Sequence, residues 1–337
     1  MSVIKEESKE LISGIDFNQL RNKNVLITGA SGLVGVYMIS CLKEIRQSHN
    51  INIYAWIKSD VDESFKEIFA DCNIIKRDIT DISSFDSLPK FDCIIHAAGY
   101  GQPGKFLENK IKTITLNTTS TINLFDKLNE GGKFLFISSS ELYSGLETNN
   151  ITETEIGTTN TDHPRACYIE GKRCGETICH SYQNKGVDVK IVRLSLAYGP
   201  GTKKGDHRVL NSLIEKGLTS DVIRLLDNGE AIRTYCYITD VIKMFWKILL
   251  NGNQVVYNVG GNSRVTIFGL ATLIGNILNK KVILPNEVQE LAGNPKVVNI
   301  SNSTYTNEFN TTTFIPLESG IINTIKWQKQ LYEKSNT

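Results

Sequence analysis

The chain lacks a surplus of either charge, any long uncharged apolar run, and any closely spaced cysteine pair of the C-x-x-C kind. Its 337 residues carry 37 Lys+Arg against 36 Asp+Glu, a net charge of +1. Attachment to nucleic-acid phosphates or to an anionic membrane needs a basic surplus, so neither partner is expected. A small basic pocket is still compatible with that balance. The longest apolar candidate, around Met244 to Leu250, is broken by Lys247, and nothing approaches the roughly 18 residues of a membrane span. The opening Met-Ser-Val-Ile-Lys-Glu-Glu is too acidic and too little apolar for a secretory signal. The seven cysteines (Cys41, Cys72, Cys93, Cys167, Cys174, Cys179 and Cys236) are odd in number. A secreted disulfide framework wants an even number, and a zinc site wants close ligand pairs. No metal is therefore expected, and the expected compartment is the reducing cytoplasm. Internal repeats and low-complexity tracts are absent as well.

What is present is an ordinary globular composition, 40% hydrophobic and 22% charged, with length for one large or two ordinary domains. Helical periodicity over residues 1–22 gives way to a short apolar strand, Asn24 to Thr28. A helix to about Ile45 follows, then strands at Ile51 to Ile57, Asn73 to Lys76 and Phe91 to His96. Another helical pattern runs from Ile111 to Leu128, before strands at Lys133 to Ile137 and Val189 to Leu194. Such alternation predicts βαβ units and a Rossmann-type, doubly wound parallel sheet, the α/β class. Beyond about residue 199 the rhythm loosens, with helices at Val209–Lys216, Thr239–Leu250, Ile267–Leu278 and Glu318–Tyr332 and a strand near Ile223–Leu226. We expect a Rossmann domain from residues 1–198 and 234–260, and a smaller mixed α/β lobe from residues 199–233 and 261–337.

Between the first strand and its helix stands T-G-A-S-G-L-V-G. Gly29 permits a tight turn, Gly32 lets the backbone approach a pyrophosphate, and Gly35 allows close helix–strand packing. With Ser31, Leu33 and Val34 these residues form a candidate dinucleotide loop. Its spacing is G-x-x-G-x-x-G.

That spacing opens an ordered series: Arg77-Asp78-Ile79, His96-Ala97-Ala98-Gly99, Asn117, Ser138-Ser139-Ser140-Glu141-Leu142-Tyr143, Tyr168-Ile169-Glu170-Gly171-Lys172, Arg193 with Tyr198-Gly199-Pro200, and Arg233-Thr234-Tyr235 running to Asp240. In this order the motifs resemble an extended short-chain dehydrogenase/reductase, the family of nucleotide-sugar epimerases, dehydratases and decarboxylases. The resemblance covers about residues 24–260. It implies bound NAD, with Asp78 on the adenine amino group and Ile79, Ala97, Ala98, Gly99 and Asn117 lining the cofactor. The second strand ends in Ala55-Trp56-Ile57-Lys58, without the acidic residue expected on an NAD ribose; Lys58 suits a 2′-phosphate, so NAD and NADP both stand. The family's habit also implies a homodimer, through helices near 112–128 and 166–184.

Tyr168 and Lys172 are four apart and share a helix face. A neighbouring ammonium and a positively charged cofactor ring are expected to lower the tyrosine's pKa and make it a general base, while Lys172 also holds the cofactor ribose. Ser139 would hydrogen-bond the same sugar oxygen. The segment Ser140-Glu141-Leu142-Tyr143 resembles UDP-glucuronate decarboxylases, where hexose 4,6-dehydratases usually show Asp at the Ser140 position and many 4-epimerases lack the glutamate. The expected substrate is a nucleotide-diphosphate sugar oxidised at C4. Arg208 and Arg233 are expected diphosphate clamps, Ser139 and Ser140 touch the sugar, and His207 reads as a loop residue. Dehydratase and 4-epimerase are the nearest alternatives, and a dinucleotide-binding sensor or scaffold is the non-enzyme one. Two positions depart from the family: Leu196 stands where Asn often contacts diphosphate, and Pro295-Lys296-Val297-Val298 lacks a late arginine.

Overall fold

A computed structural model describes residues 2–146, 148, 150–285 and 297–333. Pro295 and Lys296, and with them residues 286–296 of the expected lobe, lie outside the described residues. The first six strands are β1 (Asn24–Thr28), β2 (Asn52–Ile57), β3 (Asn73–Lys76), β4 (Phe91–His96), β5 (Leu128–Ser139) and β6 (Asp188–Leu194). They are followed by β7 (Leu196–Tyr198), β8 (Val222–Arg224), β9 (Ile232–Tyr237), β10 (Val256–Val259), β11 (Ser263–Thr266), β12 (Lys281–Ile283) and β13 (Val297–Val298). Helices α1 (Ser2–Ile12), α2 (Leu33–His49), α3 (Lys66–Phe69), α4 (Pro103–Glu108), α5 (Lys110–Asn117) and α6 (Thr119–Asp126) belong to the first half. The second half adds α7 (Ala166–Gln183), α8 (Val209–Thr219), α9 (Ile238–Asn251), α10 (Ile267–Leu278), α11 (Ser303–Glu308) and α12 (Leu317–Glu333).

Seven strands form one parallel sheet in the order β10-β6-β5-β4-β1-β2-β3. Alternation along each strand divides the core between its two faces. Val25 and Ile27 of β1, with Ile95, Leu135, Ile137 and Val192, bury against α2 and α9. Leu26, Ile94, Phe134, Phe136 and Ile191 bury on the other side with Leu116, Leu124 and Cys179 of α5, α6 and α7. Each such apolar side chain contributes about 1.5–3 kcal/mol on burial, which outweighs the weak helix propensity of β-branched stretches such as those in α9. A second sheet gathers β7, β11 and β13 around β9, and β8 pairs with β12.

Two local expectations change. The helical pattern from Ile111 to Leu128 is two helices, because Thr118 leaves helical geometry at φ −115°, ψ −84°. The fifth strand begins at Leu128, five residues before the apolar run, since Leu128 pairs with Phe91 of β4 across an irregular register. The seven cysteines are all free thiols. Among the described residues no helix is long and apolar enough to cross a membrane.

Beneath the end of β5, Arg193 of β6 donates to both carboxylate oxygens of Glu176 on α7, and Ser138 donates to Glu176 Oε1 at 2.5 Å. Both partners are only 7% exposed. Removing one member strands a buried charge. Glu176→Ala is therefore expected to lower the unfolding free energy by about 3–5 kcal/mol in urea titration; a wild-type midpoint would contradict this role.

Candidate active site

The strand order reverses between β1 and β4, and ligands of open α/β sheets bind outside the carboxyl ends of strands at such a point. Here Gly29 has φ +63°, and a Cβ on it would sit 2.6 Å from Ala98 Cα and 2.7 Å from the Ala97 oxygen. Only glycine lets the loops after β1 and β4 touch. Gly35 is equally constrained, with Ala30 backbone atoms 2.6 Å from its missing Cβ. Gly32 is the N-cap of α2 and no side chain caps that end. The exposed backbone of Gly32 and the first turn at Leu33 and Val34 thus form an N-terminal end suited to an anion.

His96 ties the same two strands. Its Nδ1 lies 2.8 Å from Thr28 Oγ1, which accepts from Ala98 N at 3.1 Å, and its Nε2 lies 3.1 Å from the Leu116 carbonyl. The pattern fits a neutral ring with the proton on Nε2. Burial, then the nearby Lys172 charge, depresses His96 to about 3. Asn117 is buried beside it on α5; its Nδ2 donates to the Thr113 carbonyl, and its Oδ1 has no hydrogen-bond partner among the described residues.

At the far end of the crevice Asp78 forms a local turn, accepting from Thr80 N and Oγ1 on Oδ1. Its Oδ2 faces Lys58 at 3.1 Å and Lys112 at 3.0 Å. These bonds outweigh the partial burial that would raise the carboxyl, and Asp78 is held well below the usual carboxylate range. Lys58 also reaches the Tyr100 hydroxyl at 3.3 Å. Ile79 is buried, and its carbonyl accepts from Ser120; Gly99 is exposed at the crevice mouth.

Strand β5 delivers Ser139 at its last position. Ser139 Oγ accepts from Glu141 N at 3.2 Å, opening a short 3₁₀ turn, Ser140–Tyr143. Tyr168 and Lys172 come from α7, and the Tyr168 hydroxyl faces the Ser139 side chain, which pulls against its rise. Lys172 is buried and donates to the Ile137 carbonyl at 2.6 Å. Ser139, Glu141, Tyr168 and Lys172 therefore do converge.

Their electrostatics differ from expectation. Burial pushes Tyr168 up to about 12 rather than down, and Lys172 is not among the groups that move it. Lys172 spends its ammonium on Ile137 and Phe136, 5.9 Å from the Tyr168 ring centroid, and burial lowers it to about 8. In the protein alone Tyr168 is a phenol.

Glu141 is raised by burial, against the lowering pull of Arg165, Arg233 and His163. Arg165 Nη2 donates to Glu141 Oε1 at 2.5 Å, a partner that sequence reasoning missed. Its signal was its place three residues before Tyr168, on the same helix face. Phe106 was missed too; Tyr168 stacks on it with centroids 4.8 Å apart. Arg233 enters this group through its field on Glu141, while burial lowers its own value. Arg208 is bound instead to Asp206, through Nε at 3.0 Å and Nη2 at 2.5 Å, and no described contact joins it to the Tyr168 group. Ser140 is half-buried within the turn, and His207 is an exposed loop residue. No cluster of metal-ligating side chains occurs among the described residues.

With this geometry in place, comparison with known proteins is decisive for the family. Residues 25–260 match the model of the NAD dependent epimerase/dehydratase family. The chain belongs to that family. Among curated members, it is 28% identical over 267 residues to UDP-glucuronic acid decarboxylase 1 of Xenopus tropicalis, covering 76% of this chain and 60% of the relative. It is 26% identical over 264 residues to UDP-glucuronic acid decarboxylase 5 of Arabidopsis thaliana, covering 77% and 76%. The chain thus spans about 60% of the length of the frog relative. Among solved epimerase/dehydratase folds, UDP-glucose 4-epimerase of Thermotoga maritima superposes with TM-score 0.78 at 19% identity, over 93% of this chain and all of that one. UDP-glucuronic acid 4-epimerase of Bacillus cereus gives TM-score 0.75 at 22% identity, over 92% and 100%.

The neutral, buried His96 of this family member generates a pH prediction. Its folded value, about 3, lies below the ordinary 6.5, so the unfolded chain takes up the proton first. The associated stability is present above pH 6.5 and is lost as pH falls toward 3. Relative to His96→Gln, the wild type should lose stability below pH 6.5 with a slope approaching about 1.4 kcal/mol per pH unit. Parallel urea titrations at a series of pH values check this; parallel curves for the two proteins would contradict it.

Proposed function

We propose that this protein oxidises the sugar of a nucleotide diphosphate at C4 with bound NAD, and acts as a UDP-glucuronate decarboxylase. The observation that carries the reading is the meeting of Ser139, Tyr168 and Lys172 with a partly buried carboxylate, Glu141. The named decarboxylase relatives support the choice of reaction. The cradle fits a dinucleotide: Gly29 and Gly35 have no room for a Cβ, and the end of α2 is uncapped. Gly29, Ser31, Gly32, Leu33, Val34 and Gly35 would hold the pyrophosphate, with Asp78, Lys58 and Ile79 at the adenosine end. Ala97, Ala98, Gly99 and Asn117 would line the wall toward the nicotinamide. When bound, NAD supplies a hydride acceptor that can return what it takes, and a positive ring that lowers a nearby phenol.

Tyr168 takes the proton of the C4 hydroxyl, and Ser139 orients that hydroxyl by sharing its hydrogen bond. Lys172, fixed by Ile137, holds the ribose. A ketone at C4 makes the C6 carboxylate a β-keto acid. Breaking C5–C6 releases carbon dioxide and leaves the electron pair shared between C5 and the C4 oxygen. Glu141, raised by burial, can carry the proton that C5 then needs. Arg233 and Arg208 would meet the diphosphate, Arg208 after partial release from Asp206, and Ser140 the sugar.

We further infer two interleaved lobes, 1–198 with 234–260 and 199–233 with 261–337. A cytoplasmic homodimer through α5, α6 and α7 also belongs to this reading; exposed Ile111, Ile114 and Ile122 on the first two helices support it.

Incubation with UDP-glucuronate and NAD is expected to release carbon dioxide and yield UDP-xylose or the 4-keto pentose, detected by mass spectrometry. UDP-galacturonate as the product would establish epimerisation instead, and an unchanged sugar would overturn both. Tyr168→Phe should lower kcat by about 10²–10⁴-fold, the usual scale for losing a general base; unchanged turnover would remove Tyr168 from the chemistry.

A further inference from the structure

Tyr168 and Lys172 share a face of the opening turns of α7, and Arg165, three residues before Tyr168, is the N-cap of that helix. Arg165 reaches across to Glu141 at 2.5 Å, with side chains 12% and 25% exposed. An ion pair so far withdrawn from water is screened much less than a surface pair. The Arg165 guanidinium carbon also lies 5.5 Å from the centroid of the Phe106 ring. Tyr168 stacks on that same ring at an interplanar angle of 15°. The connections close into a circuit: Glu141 to Arg165, Arg165 to Phe106, Phe106 to Tyr168, Tyr168 to Ser139, and Ser139 back to the Glu141 amide.

We propose that Arg165 is a positioning residue for the reaction, fixing Glu141 in place against Tyr168 through this circuit, with Phe106 as the plate that both side chains share. The inference rests on the reading of Glu141 as the proton-carrying carboxylate. Arginine suits the task because its planar fork grips a carboxylate oxygen while its flat face lies on an aromatic ring; a lysine ammonium supplies charge without either constraint. The groups acting on Glu141 come from α7, the segment just before it, and β9. They are Arg165, which caps the start of α7, with His163 two residues before it, Arg233 on β9, and Tyr168 on α7. Burial carries the carboxyl upward. The Arg165 guanidinium, held against the carboxylate, pulls the other way, so its removal should let the carboxyl rise further.

The test reads Glu141 directly in the full chain. Protein labelled with ¹³C at glutamate side-chain carboxyls is titrated by NMR, and the Glu141 signal is identified by its loss in Glu141→Gln. Arg165→Gln should move the Glu141 midpoint up by about one pH unit or more, the scale for losing an opposite charge at this range. Arg165→Lys, which keeps a cation and guards against a fold lost in the first variant, should bring the midpoint most of the way back. With UDP-glucuronate, Arg165→Gln should lower kcat roughly 10–100-fold, less than the 10²–10⁴-fold of losing a general acid or base outright because the carboxylate itself remains, with little change in KM. Added to Glu141→Gln, the same substitution should cost almost nothing further, because residues that act as a unit are not additive. An unmoved midpoint, or full additivity while Glu141→Gln is itself impaired, overturns the positioning role alone. A Glu141→Gln enzyme that turns over like wild type overturns the reading of Glu141 and the role of Arg165 with it.

Discussion

The seat of α7 on β5 is the constraint on which the candidate site depends. Gly175 lies where a Cβ would fall 2.4 Å from the Phe136 ring and 2.7 Å from the Asn117 carbonyl, so helix, strand and α5 meet without a side chain between them. Polar stitches then fix the helix along its axis. Lys172 reaches back to Ile137, and one turn on, Glu176 receives Ser138 and Arg193. Arg173 adds bonds to the carbonyls of Leu142 and Gly157, which pins the turn carrying Glu141. Ser139, Glu141, Tyr168 and Lys172 are all attached to this one junction, so their geometry follows from the core packing of α7 on β5.

The crevice at the strand reversal is built on the same economy of space. Close backbone approach at Gly29 brings the loops after β1 and β4 together, and neutral His96 bridges Thr28 to Leu116 behind them. A charged imidazole here would lose its acceptor role toward Thr28 and carry an unpaired buried charge. The low affinity of His96 for a proton is thus part of what holds the two strand ends in register, and it links the dinucleotide cradle to the helix that bears Asn117.

Legibility in the sequence followed the range of the determining interactions. Gly29, Gly32 and Gly35 could be placed because a turn and a helix start are fixed by neighbours within eight residues. Tyr168 and Lys172 could be paired because helix geometry alone puts them on one face. The break at Thr118 was hidden, since apolar spacing runs on through both α5 and α6. The early start of β5 depends on pairing with β4, which no local pattern in Asn129-Glu130-Gly131-Gly132 announces. Arg165 stood in plain view beside Tyr168, but its partner lies 24 positions away, and only the folded chain selects Glu141 for it. In the protein alone Tyr168 is raised for a related reason: charge proximity along a helix was legible, but the burial that outweighs it was not.

The central claim is that the hydrogen on C4 leaves the sugar as hydride, not as a proton, while Tyr168, with Ser139 and Lys172, takes the proton of the C4 hydroxyl. UDP-glucuronate carrying deuterium at C4, incubated with the protein and NAD, separates the two directly when the water is examined by ²H NMR. The account predicts that the sugar is converted while no deuterium enters the water. Deuterium in the water, or a labelled sugar left untouched, would contradict it.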